Sequence, residues 1–143
     1  MTSSKAFPGL RTGHYQVTSP ADNTYNCVAW AAHDAARWWD PSVAQGYWWP
    51  DTVARTLSLA NLVAVFVALG FEPCDGVALE PSLERVAIYS DDRGWPTHVA
   101  RQRAEGGWTS KLGASEDIVH DSVEQLEGAI YGTVVRILKR LRV

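Results

Sequence analysis

The chain has few of the residues that hold small or exported domains together. Its 143 residues include only two cysteines, Cys27 and Cys74. Two cysteines without a secretory signal predict two free thiols rather than a disulfide. A chain of this length can bury a core of its own, so we expect one domain that needs neither a disulfide nor a structural metal.

Long apolar runs and an excess of positive charge are also missing. No stretch approaches the roughly 20 apolar residues of a membrane-spanning helix, and residues 1–20 lack the apolar segment of a signal peptide. The formal net charge of -3 gives no electrostatic reason to expect nucleic acid as a partner. We therefore expect a soluble cytoplasmic protein with no membrane or nucleic-acid partner, although export by a route without a signal peptide would leave the same sequence.

Motifs for metals and nucleotides are absent as well. The chain has neither a CxxC pair nor an HExxH helix, and its four histidines lack the spacing of zinc ligands. Glycine-rich phosphate loops of the GxGxxG or GxxxxGK type are also missing. The sequence therefore predicts no metal site and no cofactor.

Three helices are predicted from the caps and the apolar spacing that are present. Residues 1–22 are expected to form an irregular arm. A first helix should end near Trp39, and its start could be capped by one of three residues: Asn23, Thr24 or Asn26. A second helix is expected to start near Thr52 or Ser58 and to end at Leu69 before a glycine. Apolar residues at helical spacing predict a third helix over 122–140.

The region between the second and third helices is predicted to form strands. Residues 85–89 are a short apolar strand, and a hairpin is expected from strands over 97–103 and 107–112. The order helix, helix, strands, helix predicts an α+β domain over residues 23–143.

Cys27 and His98 are the candidate catalytic residues. Cys27 falls in the first turn of the first predicted helix, where the positive helix end favours a thiolate. His98 lies near the start of the hairpin, where it could accept the thiol proton. The backbone N–H of Cys27 and the side chain of Asn26 are the candidate oxyanion donors. The competing interpretation is that Cys27 is a small buried apolar residue and His98 a hydrogen-bonded strand residue.

Two segments, Asn26-Cys27-Val28-Ala29-Trp30 and His98-Val99-Ala100-Arg101, resemble the papain-like cysteine hydrolases, especially the NlpC-type cell-wall peptidases. The resemblance implies a papain-like core, in which a helix bearing the cysteine packs on a small antiparallel sheet. It also implies a peptide, amide or muropeptide-like substrate and a third catalytic residue twelve positions after the histidine, which is Ser110 here. The chain also resembles a set of uncharacterised bacterial proteins, and that likeness implies no activity.

The register of the hairpin decides whether Ser110 can share a face with His98. A two-residue turn at Glu105-Gly106 would place Arg101 opposite Ser110 and put His98 on the other face. A three-residue turn with Gly106 in the left-handed conformation would pair Ala100 with Ser110 and place His98 on the same face as Ser110. We favour the second register for the third catalytic residue, which leaves three alternatives: Lys111, Asp117 and His120.

Tryptophan is the most unusual excess, with seven in the chain. Most should be core residues. Trp48, Trp49 and Trp95 lie in proline-containing loops and are candidates to line a substrate groove. The sequence thus predicts a cysteine hydrolase or acyltransferase, and the alternative is a binding module without catalysis, of the effector, immunity or adaptor type.

Overall fold

One seven-stranded antiparallel sheet dominates the computed structural model, which describes residues 6–11, 14–43 and 46–142. The spatial order of its strands is β1-β6-β5-β4-β3-β7-β2. In chain order the strands are β1 (Tyr15–Ser19), β2 (Glu72–Cys74), β3 (Leu83–Ser90), β4 (Pro96–Gln102), β5 (Trp108–Lys111), β6 (Asp117–His120) and β7 (Thr133–Leu141).

Helices are a minor part of the described chain. The α-helices are α1 (Cys27–Ala31) and α2 (Leu59–Ala68), and two short 3₁₀ helices span Pro8–Arg11 and Val123–Leu126. The Ser58 hydroxyl accepts a hydrogen bond from the Asn61 N–H at the start of α2, and Gly70 ends that helix with a φ of 96°. The prediction of this second helix is confirmed.

The first helix is much shorter than predicted. The side chain of Asn26 caps it, but it ends after five residues at Ala31. His33 then adopts a left-handed φ of 65°. A turn follows at Asp34, whose carboxylate accepts hydrogen bonds from the backbone N–H groups of Ala36 and Arg37. Asp34 therefore replaces helical hydrogen bonds with a local turn, which competes with helix continuation.

The sheet separates two apolar cores, because alternate residues of a strand face opposite sides. The face covered by α1 and α2, called here the helical face, includes Val86, Ile88 and Val99. The opposite face buries Ala87, Tyr89, Ala100, Trp108, Leu112, Ile118 and the apolar residues of the 3₁₀ helices. The prediction of a papain-like α+β core with a C-terminal helix is therefore wrong, since the described fold is mainly one large sheet.

The C-terminal segment accounts for much of that error. Apolar residues at helical spacing predicted a helix over 122–140, but the structure ends a 3₁₀ helix at Leu126 and continues as β7. Gly128 and Gly132 interrupt the segment with φ angles of 147° and 75°. The β-branched run Thr133-Val134-Val135 then favours an extended chain.

Three further strands, β1, β2 and β6, lie where none was predicted. β1 falls within the segment expected to be an irregular arm and pairs with β6 at one edge of the sheet. Residues 1–5, 12 and 13 of that expected arm lie outside the described residues. At the other edge, β2 pairs with Ile137, Leu138 and Lys139 of β7.

The central hairpin follows the predicted strands and the favoured register. Arg101 pairs with Thr109 and Gln102 with Trp108. The N–H of Arg103 donates to the carbonyl of Gly107, and Gly106 has a φ of 107°. The turn therefore has three residues with a left-handed glycine, as predicted.

A candidate thiol and imidazole site between two strands

β4 and β5 pair over only two residues before they separate. Their ladder ends at Arg101 and Thr109, whereas β5 stays paired with β6 as far as Lys111 and Asp117. Helix α1 packs against both β4 and β5. The region of β4 from Pro96 to Ala100 therefore borders an opening in the sheet, and the first residue of α1 lies beside it.

Cys27 is that first residue, and its thiol is a free one. Backbone N–H groups of Val99, Val28 and Cys27 itself point at the sulfur, and each favours a thiolate. Burial nevertheless raises the pKa of the thiol above its ordinary value and outweighs them. The N–H groups at the helix start therefore act in the predicted direction, but the net effect is a raised pKa and a neutral thiol at neutral pH.

His98 is almost completely buried, with 1% of its surface exposed. Its ring stacks on Tyr131 at a centroid distance of 4.1 Å and an interplanar angle of 6°, and it meets Tyr89 edge-on at 5.2 Å. Neither ring nitrogen has a hydrogen-bond partner among the described residues. Burial, with a smaller contribution from the nearby His120, holds the pKa of His98 well below its usual value. The imidazole is therefore a neutral base whose nitrogens have no hydrogen-bond partner among the described residues.

Cys27 and His98 line the same cavity, which has a volume of about 150 Å³. His98 pairs with Tyr89 of β3, so both side chains lie on the face of the sheet that α1 does not cover. Helix α1 lies on the helical face with Val99. The two residues thus approach the opening from different faces of the sheet. No hydrogen bond joins them in this state, because both nitrogens of His98 lack a partner.

Tyr131 links the two groups electrostatically. It stacks on His98, and its own pKa is raised mainly by burial and further by the charge that Cys27 would carry as a thiolate. The hydroxyl of Thr97 donates to the Tyr131 carbonyl and fixes the loop at this point. Sequence reasoning missed Tyr131, because it placed the residue inside a predicted helix. Gly128 and Gly132, which bracket a tight turn, were the signal that could have located it.

Ser110 shares the face of His98, as the three-residue turn predicted, but it bonds elsewhere. Its hydroxyl lies 2.9 Å from Nε2 of His120, and Nδ1 of His120 lies 2.8 Å from the carbonyl oxygen of Ser122. Burial lowers the pKa of His120 to about 4. The neutral ring therefore donates from Nδ1 to Ser122 and accepts from Ser110 at Nε2. No contact of this kind orients His98.

The other two alternatives for a third catalytic residue are also engaged elsewhere. The Lys111 ammonium donates to three backbone carbonyls, those of Asp22, Gly113 and Ser115. The Asp117 carboxylate accepts hydrogen bonds from the hydroxyls of Tyr25 and Thr18. These bonds tie the arm, β5 and β6 together, which is a structural role.

Asn26 is buried beside the thiol, and its amide is largely occupied. Its Oδ1 accepts hydrogen bonds from the N–H groups of Ala29 and Trp39, each at 3.2 Å. Its Nδ2 donates to the Trp39 carbonyl at 2.7 Å. One amide N–H is therefore left for the predicted oxyanion role, and the main effect of Asn26 is to fix α1 against the following loop.

The three tryptophans predicted to line a groove separate into different environments. Trp49 is buried and lines both the Cys27 cavity and a larger pocket of about 410 Å³. Trp48 lines that larger pocket, where the Arg37 guanidinium lies 4.3 Å from its ring centroid. Trp95 is 54% exposed and lines neither of these two cavities. Of the three, Trp48 and Trp49 therefore share one pocket, which Trp38 and Tyr47 also line.

The fold and site define a class of protein in which a thiol and an unpaired imidazole border an opening in one antiparallel sheet. The chain belongs to the family described as "Domain of unknown function (DUF7689)", whose model matches residues 16–139. The match spans every strand except the first residue of β1 and the last two of β7. No curated protein and no solved structure matches the chain. Among the described residues, no helix is long and apolar enough to cross a membrane.

Proposed function

We propose that the protein is a cysteine hydrolase or acyltransferase, with Cys27 as the nucleophile and His98 as the general base. The observation that carries the proposal is that the Cys27 thiol and a buried imidazole with two unpaired nitrogens line one cavity. A buried polar group without a partner costs stability and calls for an explanation. A role in accepting the proton of the Cys27 thiol would explain why His98 is buried without a hydrogen-bond partner among the described residues.

The chemistry follows from the neutral state of both groups. A ring nitrogen of His98 takes the proton as the Cys27 sulfur bonds to the carbonyl carbon of an amide or ester. The bond from that carbon to the leaving nitrogen or oxygen then breaks, and the imidazolium returns the proton to the leaving group. In hydrolysis, His98 takes a proton from water, which attacks the thioester; the acid leaves and the sulfur regains a proton. In acyl transfer, an alcohol or amine replaces the water.

Backbone N–H groups supply the electrostatic part of the mechanism. The N–H groups of Val99, Val28 and Cys27 that point at the sulfur are the candidate donors to the carbonyl oxygen of a bound acyl group. Donors held in place before the reaction stabilise the developing oxyanion, which is usually the largest single contribution to catalysis. Since these donors belong to the backbone, side-chain substitutions leave them in place.

Substrate binding must bring the sulfur and the imidazole together. Such hydrogen bonds are often long in the unliganded state and form only in the substrate complex. The opening between β4 and β5 is the place where this approach occurs, because no ladder bonds between those strands need to break.

Alkylation of the thiols tests the proposal directly. Iodoacetamide should modify Cys27 at neutral pH, and His98→Ala should reduce the rate at Cys27 at least about tenfold, because the neutral thiol then has no base. Cys74 is a second free, partly exposed thiol in the same chain and provides an internal reference. Its rate should not change. Peptide mass spectrometry separates the two sites.

A second measurement detects the covalent intermediate. An activated ester should leave one acyl group on the peptide that contains Cys27, and none in Cys27→Ser or His98→Ala. Cys27 reactivity that is independent of His98, together with no acylation by any ester, would contradict the proposal.

The second candidate function is a binding module without catalysis. It is favoured by the missing hydrogen bond between Cys27 and His98 and by the aromatic pocket of Trp48 and Trp49. Under this alternative the His98 variants keep full Cys27 reactivity.

A further inference from the structure

We propose that the Cys27 cavity is an acyl-binding pocket that selects short or compact apolar acyl groups. The inference rests on the proposed function, since it names the substrate class for the same site. Three observations carry it: the apolar walls, the hydrogen bonds already made by the polar wall residues, and the volume.

The walls of the cavity are mostly apolar. Beside Cys27 they are formed by Val28, Trp39, Pro41, Trp49, Leu57, Leu62, Pro96 and Val99. Leu62 and Trp49 are each 2% exposed, and they belong to the core on the helical face. These two walls are therefore fixed by packing, and they cannot move apart without disturbing that core.

Three of the four polar wall side chains already have hydrogen-bond partners. Asn26 bonds to Trp39 and to the start of α1. Thr97 donates to the Tyr131 carbonyl, and Asp40 accepts from the N–H of Ser42 at 2.9 Å. His98 is the fourth, and its ring nitrogens are unpaired. Apart from the unpaired His98 ring, one amide N–H of Asn26 and the Asp40 carboxylate, the cavity offers an apolar surface, which suits an acyl chain without polar groups of its own.

The volume limits the length of that chain. An apolar cavity of about 150 Å³ holds one benzene molecule in well-studied cases, which corresponds to roughly four to six carbon atoms in an extended or branched chain. The cavity here has this volume. A longer chain would either displace Trp49 or Leu62 from the core or leave its end outside the cavity, where it gains no burial.

A series of p-nitrophenyl esters tests the inference. Turnover that depends on Cys27 should be fastest with butyrate and hexanoate, and kcat/KM should be at least about tenfold higher than with acetate, because two more methylenes are buried. Decanoate should again be slower. Leu57→Phe narrows the cavity and should move the optimum toward acetate, whereas Leu62→Ala widens it and should move the optimum toward decanoate. Leu79→Ala, at an exposed residue outside the cavity, is the control.

Leu57 is only half-buried, so its variant should fold even if Leu62→Ala does not. Turnover that needs Cys27 but shows no preference for chain length would overturn this inference and leave the proposed function intact. Absence of Cys27-dependent turnover with every ester would overturn the proposed function instead. In that case, benzene binding to Cys27→Ala, followed by NMR shifts of Leu62 and Trp49, decides the inference alone: shifts support the apolar pocket, and their absence overturns it.

Discussion

His98 and His120 are two buried imidazoles on the same face of the sheet, and they differ in what surrounds their nitrogens. His120 has a partner at each nitrogen, the Ser110 hydroxyl and the Ser122 carbonyl. Neither nitrogen of His98 has a partner among the described residues, and its contacts are with the aromatic rings of Tyr89 and Tyr131. Both rings are 1% exposed, so burial alone does not explain the difference.

The difference separates a structural histidine from a candidate catalytic one. A buried group with both hydrogen bonds made stabilises the fold by a modest amount, whereas a buried group without partners destabilises it by about 1 to 3 kcal/mol. The two hydrogen bonds of His120 are therefore enough to explain why it is buried. His98 makes no such bonds to the described residues, and the proposed proton transfer from Cys27, which lines the same cavity, would explain why it is buried.

The largest expected effect is loss of stability in mild acid, to which both histidines contribute. The pKa of His120 is lowered to about 4 and that of His98 lies well below 6.5, so the folded state stays neutral while the unfolded chain gains protons. Stability is therefore complete above pH 6.5 and falls as the pH drops below it. His120 alone should cost about 2 kcal/mol between pH 7 and pH 5, and His98 adds a loss of the same sign. Urea unfolding at the two pH values measures it.

Matched variants assign that loss to each ring. His98→Leu and His120→Leu should each remove part of the decrease between pH 7 and pH 5, since each deletes one of the two groups. A decrease that stays the same in both variants would show that other groups titrate in this range.

The next largest effect on stability is expected from a substitution at Gly132, the residue that follows Tyr131. A Cβ at Gly132 would lie 1.9 Å from the carbonyl oxygen of Ser90, at a φ of 75°. Gly132→Ala should therefore cost about 3 kcal/mol and displace Tyr131 from His98. Gly128→Ala is the control, because its φ is also positive but nothing lies within 4 Å of the added atom.

Denaturant unfolding should rank the two glycine variants, with Gly128→Ala costing about half as much. Equal costs would mean that backbone strain, rather than the contact with Ser90, dominates at both positions. Loss of Cys27 reactivity in Gly132→Ala but not in Gly128→Ala would tie the position of Tyr131 to the site.

Local patterns predicted the central part of the molecule and failed at its ends. The glycine pair at 106 and 107 specified the three-residue turn, and that turn set the register that places Ser110 on the face of His98. The caps and the closing glycine of α2 were equally local signals. Tyr131 is held by Thr97, a partner far along the chain, and only the turn at Gly128 and Gly132 could have been read locally. The helical spacing of the last segment was misleading, because β7 packs against β3 and its burial follows the sheet.

A third prediction exchanges His120 for an apolar residue of similar size. His120→Leu leaves the Ser110 hydroxyl and the Ser122 carbonyl without their present partners in a buried region. The free energy of unfolding should fall by about 2 kcal/mol at pH 7. Cys27 reactivity should remain close to that of the parent protein. A stability equal to the parent's would show that water can replace both hydrogen bonds.

The smallest expected effect on stability comes from the same substitution at His98, and it is the sharpest test of the comparison. His98→Leu removes two nitrogens that have no partners and loses only the ring contacts with Tyr89 and Tyr131. Replacing an unsatisfied buried group by an apolar one is nearly neutral or stabilising, so the free energy of unfolding should stay within about 1 kcal/mol of the parent at pH 7. The alkylation rate of Cys27 should nevertheless fall as far as in His98→Ala, while Cys74 reacts normally. A variant that is as stable as the parent but chemically inert at Cys27 would show that the fold retains His98 for its chemistry. A loss of stability as large as that of His120→Leu, with Cys27 still reactive, would instead make His98 a second structural histidine.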